Sequence, residues 1–270
     1  MKRISVLINA CNEAHLLADC VESVRGLADE IIVCDMQSGD GSADKARALG
    51  CQVILHPRMP APEPEARIAA INAASGDWVL IFDPDMRITE KTRQRLRQIA
   101  ETDEADLVDF YCINHFFGRC CPHGHGSQPV LRKFFKKSAF APRSTNIQTF
   151  WHDSLTGRVL TLGREHAIMH LAYSTVADCV ETLTRYAYRE AAQAHQRGVK
   201  PSPRRMLWRP LKRFAGNYFL RKGFLDGIPG LIVNTAVSWY LFLTEVSLWQ
   251  LWRADRPASA GSLSDERRAA

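Results

Sequence analysis

The N-terminal third of the chain alternates short apolar runs with segments in which apolar residues recur at helical spacing. Four runs have the length and the continuous hydrophobic character of strands buried on both faces, and they span residues 4–8, 30–34, 52–55 and 78–82. Helices are predicted between them, around residues 16–24, 43–49 and 66–75. Strands and helices that alternate in this way predict an α/β fold with a mainly parallel sheet and right-handed crossovers.

Two carboxylates, Asp83 and Asp85, follow the fourth apolar run directly, with Pro84 between them. Ligands of open α/β sheets bind beyond the carboxyl ends of the strands, so this pair could hold a divalent cation beside a phosphate group. Pro84 stiffens the turn and keeps both side chains near one point. An Asp-x-Asp pair in a surface turn is equally typical of local hydrogen bonding, so the choice depends on the other strands.

Polar motifs also follow the other strands. They are Asn12-Glu13 after the first strand, Asp35 at the end of the second, Ser-Gly-Asp-Gly-Ser at 38–42, and Ala-Ser-Gly-Asp-Trp at 74–78. In this order, with Asp83-Pro84-Asp85, the motifs resemble the family-two glycosyltransferases of the GT-A fold. Within that family the chain is most similar to the branch of lipopolysaccharide-core and cell-wall glucosyltransferases. The similarity is strong up to about residue 90 and extends weakly through His152-Asp153, His170 and residues 223–227.

The resemblance implies a nucleotide-sugar donor whose pocket is lined by Asn12, Glu13 and Asp35. Asp35 would accept a hydrogen bond from a base such as uracil, which makes a UDP-sugar the expected donor. Arg67, on the helix before the fourth strand, is either a diphosphate contact or an ordinary solvated arginine. Asp40 is predicted to cap the helix that begins near Ser42.

Departure of a diphosphate builds negative charge, which a divalent cation such as Mg²⁺ or Mn²⁺ and cationic side chains would stabilise. Asp85 is predicted to be the primary metal ligand, with Asp83 directed to the ribose or to the metal. The resemblance assigns the base that deprotonates the acceptor to Asp153, although the branch more usually has Glu there. His170 would complete the metal shell, contact phosphate, or be a core histidine.

The C-terminal part of the chain is strongly basic. The whole chain carries a formal charge of +6, yet residues 185–222 hold eleven lysines and arginines against the single acid Glu190. Such a block could form a solvated helix face or bind a nucleic acid. The following residues 224–252, however, are largely apolar and contain Trp239, Trp249 and Trp252. A basic segment beside an apolar, aromatic-rich one favours an anionic membrane surface, and we expect no nucleic-acid partner.

The apolar segment is short for a membrane span. Residues 228–243 number sixteen, whereas a span needs about 20 apolar residues. An interfacial or re-entrant helical hairpin is therefore predicted, with a buried helix pair as the alternative. The expected organisation is a GT-A catalytic domain at 1–175, a basic helical extension at 176–222, an apolar membrane-interface segment at 223–252 and a disordered tail at 253–270.

Composition is consistent with a cytoplasmic catalytic domain. The chain has 270 residues, 46% of them hydrophobic, and residues 1–8 contain no secretory apolar region. The eight cysteines form no compact framework, so most are predicted to be reduced and buried. A zinc site is disfavoured because the Cys and His residues between 112 and 125 lack spaced Cys-x-x-Cys pairs.

We therefore predict an inverting, metal-dependent glycosyltransferase at the cytoplasmic face of the inner membrane. Its acceptor would be lipid-linked or a lipopolysaccharide-type glycan. One alternative is a sugar-nucleotide pyrophosphorylase, which normally has a Gly-rich phosphate loop after the first strand where this chain has Asn9-Ala10-Cys11. A second alternative is a non-catalytic membrane-bound protein that senses a sugar nucleotide.

Overall fold

The computed structural model describes residues 1–57, 64–142 and 154–255, and it divides the chain into two compact units. The first unit comprises Met1–His115 and Ser127–Ala172. The second comprises Phe116–Gly126 and the chain from Tyr173 onward. The predicted separation of a basic extension from an apolar segment within the C-terminal part stays a prediction.

The first unit begins with alternating strands and helices and continues with a run of strands. Its strands are β1 (Ile4–Ala10), β2 (Glu30–Asp35), β3 (Gln52–Leu55), β4 (Trp78–Phe82), β5 (Met86–Arg87), β6 (Leu107–Phe116), β8 (Ser127–Lys136), β9 (Val159–Thr161) and β10 (Ile168–Tyr173). Its helices are α1 (Ala14–Arg25), α2 (Ser42–Ala48), α3 (Pro64–Ala73) and α4 (Glu90–Thr102). All four strands predicted in the N-terminal third are present.

These strands form one mixed sheet with the order β3-β2-β1-β4-β8-β6-β10-β5. The β1–β2, β2–β3 and β1–β4 pairs are parallel, whereas β4 pairs with β8 in antiparallel fashion. The prediction of an α/β fold of the GT-A type, followed by a C-terminal helical part, is confirmed. Ala10 lies opposite Asp35, and Ile8 lies opposite Phe82. The carboxyl ends of β1, β2 and β4 therefore meet at one edge of the sheet.

Helices cover both faces of the parallel strands. Val6 and Ile8 of β1 belong to a core cluster that includes Leu17 and Val21 of α1. Leu7 of β1 belongs to a second cluster, which includes residues of α3. Every residue of β1 and β4 is buried, which explains why these strands read as continuous apolar runs rather than as an alternating pattern.

The Ala-Ser-Gly-Asp-Trp motif is a turn that brings two backbone segments close together. A Cβ atom on Gly76 would lie 2.4 Å from the Ser5 hydroxyl oxygen, and the Gly76 amide donates to that oxygen at 2.8 Å. Glu30 accepts a hydrogen bond from the Ser75 amide at 2.6 Å. A glycine is therefore required at position 76, and the motif joins the start of β4 to β1 and β2.

The second unit is helical apart from the short strand β7 (Arg119–Cys120). Its helices are α5 (Val176–Gln196), α6 (Pro203–Ala215) and α7 (Gly227–Ala254), with a π-helical turn at Gly216–Leu220 and a 3-10 turn at Gly223–Asp226. Both α5 and α6 pack against α7. The buried carboxylate of Glu245 on α7 accepts from Arg205 at 2.9 Å and from Arg209 at 3.3 Å, which attaches α6 to α7.

The prediction of a helical hairpin in the apolar segment is wrong, because α7 is one continuous helix. Gly227, Pro229 and Gly230 all lie in its first turn, where a proline removes no intrahelical hydrogen bond. Gly223–Ala254 is long and apolar enough to cross a membrane, and half of its most apolar window is buried in the protein. Length and composition alone do not distinguish a membrane span from a packed helix.

All eight cysteines are unpaired. As predicted, most of them are buried; Cys11 is half-buried, and Cys120 is exposed.

Candidate active site

The carboxyl ends of the parallel strands place the predicted acids at one edge of the sheet. Asp35 is the last residue of β2, and Asp83 follows β4 directly. Glu13 precedes α1, and its electrostatic interactions with Asp83, Asp85 and Asp40 show that the loop after β1 lies beside these acids. Four of the predicted site residues, together with Asp40, therefore share one region of the first unit.

Asp83 lies between two cations. Lys133 of β8 donates to one carboxylate oxygen at 2.6 Å, and Arg67 of α3 donates to the other at 3.3 Å. Burial opposes ionisation, but the charges of Lys133 and Arg67 outweigh it and hold the pKa of Asp83 well below its usual range. Arg67 is therefore not a solvated surface arginine. The ion pairs fix both cations at the end of β4, where a diphosphate would need them.

Asp85 is connected to His170 of β10. The His170 Nε2 atom lies 2.9 Å from one Asp85 oxygen, and its Nδ1 atom lies 2.6 Å from the side-chain oxygen of the buried Asn114. Both ring nitrogens of His170 therefore face acceptor oxygens, and a cation between Nε2 and Asp85 would leave the Nδ1 proton for the Asn114 oxygen. The other Asp85 oxygen, Oδ1, is buried and has no hydrogen-bond partner within the described ranges.

This arrangement fits a divalent cation. A metal-ligating histidine usually donates its other ring N–H to a fixed oxygen, and the Asn114 oxygen beside Nδ1 is such an acceptor. No three His, Cys, Asp or Glu side chains form a metal-holding group in the described ranges. A pair such as Asp85 and His170 suffices when substrate phosphates supply further ligands, as they commonly do for Mg²⁺.

Glu13 has an unusual ionisation. Burial, assisted by the charges of Asp85, Asp83 and Asp40, raises the pKa of Glu13 to about 7, although its hydrogen bond from the Cys11 amide acts in the opposite direction. The carboxyl group is consequently half-protonated near neutral pH. Added positive charge at the site would favour its ionised form.

Two buried acceptors at the strand ends lack partners in the part of the chain that the structure describes. Asp35 is 2% exposed and accepts from the Ser38 amide at 3.1 Å through one oxygen, whereas its Oδ1 atom has no partner. The side-chain oxygen of Asn9, near the end of β1, is also buried without a partner. Buried acceptors without partners are costly, so each is suited to a donor group on a ligand.

The remaining motif residues hold the loops together. Asn12 adopts a left-handed conformation, with φ of 59°, and accepts from the Gly39 amide at 2.8 Å. Helix α2 begins at Ser42 as predicted, and Asp40 accepts from the amide of Ser42 at 3.1 Å and from that of Ala14 at 2.8 Å. The residue at the helix cap itself is Gly41, so Asp40 joins the starts of α1 and α2 rather than capping one of them.

Asp153 and the preceding His152 lie outside the described residues, so the assignment of the base stays a prediction.

Sequence reasoning missed Lys133, Asn114 and Arg87. Arg87 donates to the carbonyl oxygens of Pro84 and Met86 at 2.7 Å each, which fixes the turn that carries Asp85. A lysine beside the paired apolar residues 134–135 was the available signal for Lys133, because lysines are seldom buried without a partner.

The family model described as Glycosyl transferase family 2 matches residues 5–151. The chain belongs to this family. The match contains Asn12, Glu13, Asp35, the Arg67–Asp83 pair and Asp85, and it ends before His170. The protein is thus a glycosyltransferase, and the pyrophosphorylase alternative loses its support.

Two relatives of similar length are named as glycosyltransferases. The chain is 26% identical over 261 residues to an uncharacterised glycosyltransferase of Rickettsia typhi, covering 93% of this chain and 88% of that one. A corresponding protein of Rickettsia bellii is 24% identical over 272 residues, and the match covers 96% of this chain and 90% of that one.

Two solved structures are also similar. The first is Staphylococcus aureus TarS 1-349 in complex with UDP-GlcNAc, with 16% identity, a TM-score of 0.49, and coverage of 93% of this chain and 92% of that chain. The second is glucosyl-3-phosphoglycerate synthase from Mycobacterium tuberculosis with Mn²⁺ and UDP-glucose, with 28% identity, a TM-score of 0.36, and coverage of 42% and 44%. The family assignment rests on the family model.

Proposed function

We propose that this glycosyltransferase transfers a sugar from a nucleotide-sugar donor, with inversion and with help from a divalent metal, to a membrane-associated acceptor. The observation that carries the proposal is the Asp85–His170–Asn114 chain, with its unpartnered Asp85 oxygen, beside the Lys133–Asp83–Arg67 cluster. Metal ligands and fixed cations are the groups that a departing diphosphate requires.

The nucleotide would bind along the ends of β1 and β2. The free Oδ1 atom of Asp35 is an acceptor suited to the N–H group of uracil, which favours a UDP-sugar. Asn12 keeps the neighbouring loops in place through its bond to Gly39. Glu13 lies beside the acids that would contact the ribose and the metal.

Asp85 and His170 would hold Mg²⁺ or Mn²⁺, with Asp83 as a further ligand or a ribose contact. When bound, the cation supplies Lewis-acid stabilisation of the diphosphate. Arg67 and Lys133 add positive charge on the side of Asp83 and neutralise the leaving group without moving, because ion pairs already fix them. Asp153 would accept the proton of the attacking acceptor hydroxyl, and a single displacement inverts the anomeric centre.

The second unit supports an acceptor at a membrane. Helix α6 is basic, yet Leu207, Trp208 and Leu211 on it are exposed. Ile228, Trp239 and Trp249 of α7 are exposed as well. Basic and apolar side chains together on a surface are typical of helices that lie in an anionic membrane interface. This favours the cytoplasmic face of the inner membrane and a lipid-linked or lipopolysaccharide-type acceptor.

A donor-binding experiment tests the proposal. The full chain is titrated with UDP, CDP and ADP in the presence and absence of Mn²⁺, and slow hydrolysis of the matching nucleotide sugars is measured. We expect preferential binding of UDP, strengthened by Mn²⁺. A tight UDP affinity that is the same with and without Mn²⁺ would overturn the metal assignment. Preference for another base would overturn the role of Asp35.

A further inference from the structure

The second unit contains a pocket of about 440 Å³ that none of the predicted site residues line. Its lining residues are Arg209, Lys212, Arg213, Gly216, Asn217, Leu220, Arg221 and Leu241. Small-molecule sites have volumes of about 300–1,000 Å³, so the pocket is large enough for a ligand group. Four of its eight lining residues are cationic.

A helical stripe explains this concentration of charge. Arg209, Arg213, Asn217 and Arg221 are spaced by four residues, which puts them on one face of α6 and its continuation. The continuation is the π-helical turn at Gly216–Leu220, closed by the Arg221 amide bonded to the Gly216 carbonyl at 2.9 Å. Such turns occur often at functional sites.

Among the described residues, three of the four cations have no ion-pair partner. Arg209 shares the Glu245 carboxylate with Arg205. In the described part of the chain, no carboxylate lies within ion-pair distance of Lys212, Arg213 or Arg221. Burial lowers the pKa of the nearby His125 to about 4, and the positive charges of Arg213 and Arg221 contribute to this decrease. The pocket therefore has a strong positive potential.

Asn217 supplies an independent sign of a missing ligand. It lines the pocket, is 3% exposed, and its side-chain amide nitrogen has no hydrogen-bond partner among the described residues. A buried N–H donor without a partner is costly, and an anionic oxygen would satisfy it.

The rim of the pocket is apolar. Leu220 lines it and is 84% exposed, and Phe219, Leu225 and Ile228 are exposed nearby in the chain. Exposed apolar side chains contribute nothing to binding a small soluble anion, whereas they can pack against the acyl chains of a lipid. Three uncompensated cations and an N–H donor match a phosphate group that carries two negative charges better than a singly charged one.

We propose that this pocket binds the phosphate monoester headgroup of a membrane lipid, with Arg213, Arg221 and Asn217 as its ligands. The site goes beyond the proposed sugar transfer, because its occupancy needs no donor. It also differs from diffuse attraction between a basic block and a membrane, since that attraction depends on the number of charges rather than on their position.

A charge-matched pair of variants separates the two mechanisms. Arg213→Gln with Arg221→Gln removes two charges from the pocket, and Lys200→Gln with Arg204→Gln removes two exposed charges outside it. Each full-length protein is titrated with phosphatidylcholine vesicles that carry phosphatidic acid. We expect a loss of affinity of about 10-fold or more for the pocket variant and less than about 3-fold for the control. Equal losses would overturn the proposal.

Two further measurements identify the ligand. Phosphatidic acid should bind more tightly than phosphatidylserine in vesicles of matched total charge, and inorganic phosphate should not displace the vesicles; the reverse of either result would contradict a lipid phosphate monoester.

Asn217→Asp places a carboxylate at the proposed phosphate contact and should weaken binding further than the arginine pair does. Unchanged binding by this variant would overturn the assignment of Asn217. Should it not fold, the exposed arginine pair decides the outcome.

Discussion

Asp83 in the first unit lies between two cations, whereas Arg213 and Arg221 in the second unit meet no carboxylate among the described residues. In the candidate active site, Lys133 and Arg67 hold the Asp83 carboxylate in ion pairs that keep their geometry without a ligand. The pocket on α6 is a set of like charges that repel one another until an anion arrives. We therefore expect the first site to respond to single substitutions and to pH, and the second to respond to salt.

Removal of Asp85 is expected to have the largest effect. Asp85→Ala takes away the proposed metal ligand and should abolish turnover and Mn²⁺-dependent UDP binding, because no other described carboxylate is paired with His170. Asp44→Ala, which removes an exposed surface carboxylate, is the matched control and should behave as the native protein. Calorimetric titration and turnover measure both. Native turnover in Asp85→Ala would remove the metal from the mechanism.

Substitution of the proposed base, Asp153, is expected to have the next largest effect. Asp153→Asn keeps the shape of the side chain but cannot accept a proton, so kcat should fall by about 100-fold or more with little change in donor affinity. Asp153→Glu restores the carboxylate and should recover much of the activity. If Asp153→Asn instead loses donor binding and retains its kcat, the residue belongs to the donor pocket.

Lys133 tests whether the ion-pair cluster is structural, functional or both. Lys133→Met leaves Asp83 with Arg67 alone and should lower stability by about 2–3 kcal/mol, because a largely buried carboxylate loses its closer partner. UDP affinity should fall by about 10-fold.

A second substitution separates the two roles of Lys133. Lys133→Met combined with Asp83→Asn removes both charges and should recover the thermal stability but not the UDP affinity. Recovery of both would make the cluster purely structural. Denaturant unfolding and UDP titration of the three variants give the comparison.

Substitution of Glu13 gives the clearest pH signature. Its pKa in the folded protein is about 7, above the ordinary value of 4.5, so the folded state holds a proton that the unfolded state releases. The free energy of unfolding should therefore decrease as the pH rises from 4.5 to 7 and then stay level.

Glu13→Gln removes this decrease. Its free energy of unfolding should exceed that of the native protein by at most about 3 kcal/mol at pH 8 and match it at acidic pH. Thermal unfolding across the pH range measures this difference. A constant offset at every pH would mean that Glu13 is not buried as a neutral acid.

The comparison also shows what the sequence could predict. Asp35, Asp83 and Asp85 were predictable because they end strands whose apolar runs are buried on both faces, and parallel strands bring such ends together. Lys133 and Asn114 were not, because they belong to β8 and β6, whose place in the sheet depends on antiparallel pairing between residues far apart in the chain.

The sequence also revealed the basic block, but not the pocket that its residues line. The four-residue spacing of Arg209, Arg213, Asn217 and Arg221 is visible in the sequence, but a pocket requires Leu241 of α7 beside it, which only tertiary packing provides. The hairpin prediction was wrong for a related reason. The hairpin followed from the sixteen-residue length of the apolar run at 228–243, whereas α7 continues past that run through Glu245, whose carboxylate is paired with Arg205 and Arg209.

The exposed Cys120 has a practical consequence. Six of the other cysteines are buried and Cys11 is half-buried, so a thiol-reactive fluorophore should modify Cys120 first. Burial and the nearby charge of Asp226 raise the pKa of Cys120, so labelling should proceed best at mildly alkaline pH. The native chain thus offers a single attachment point in its second unit, from which energy transfer to labelled vesicles can be recorded without engineering a new cysteine.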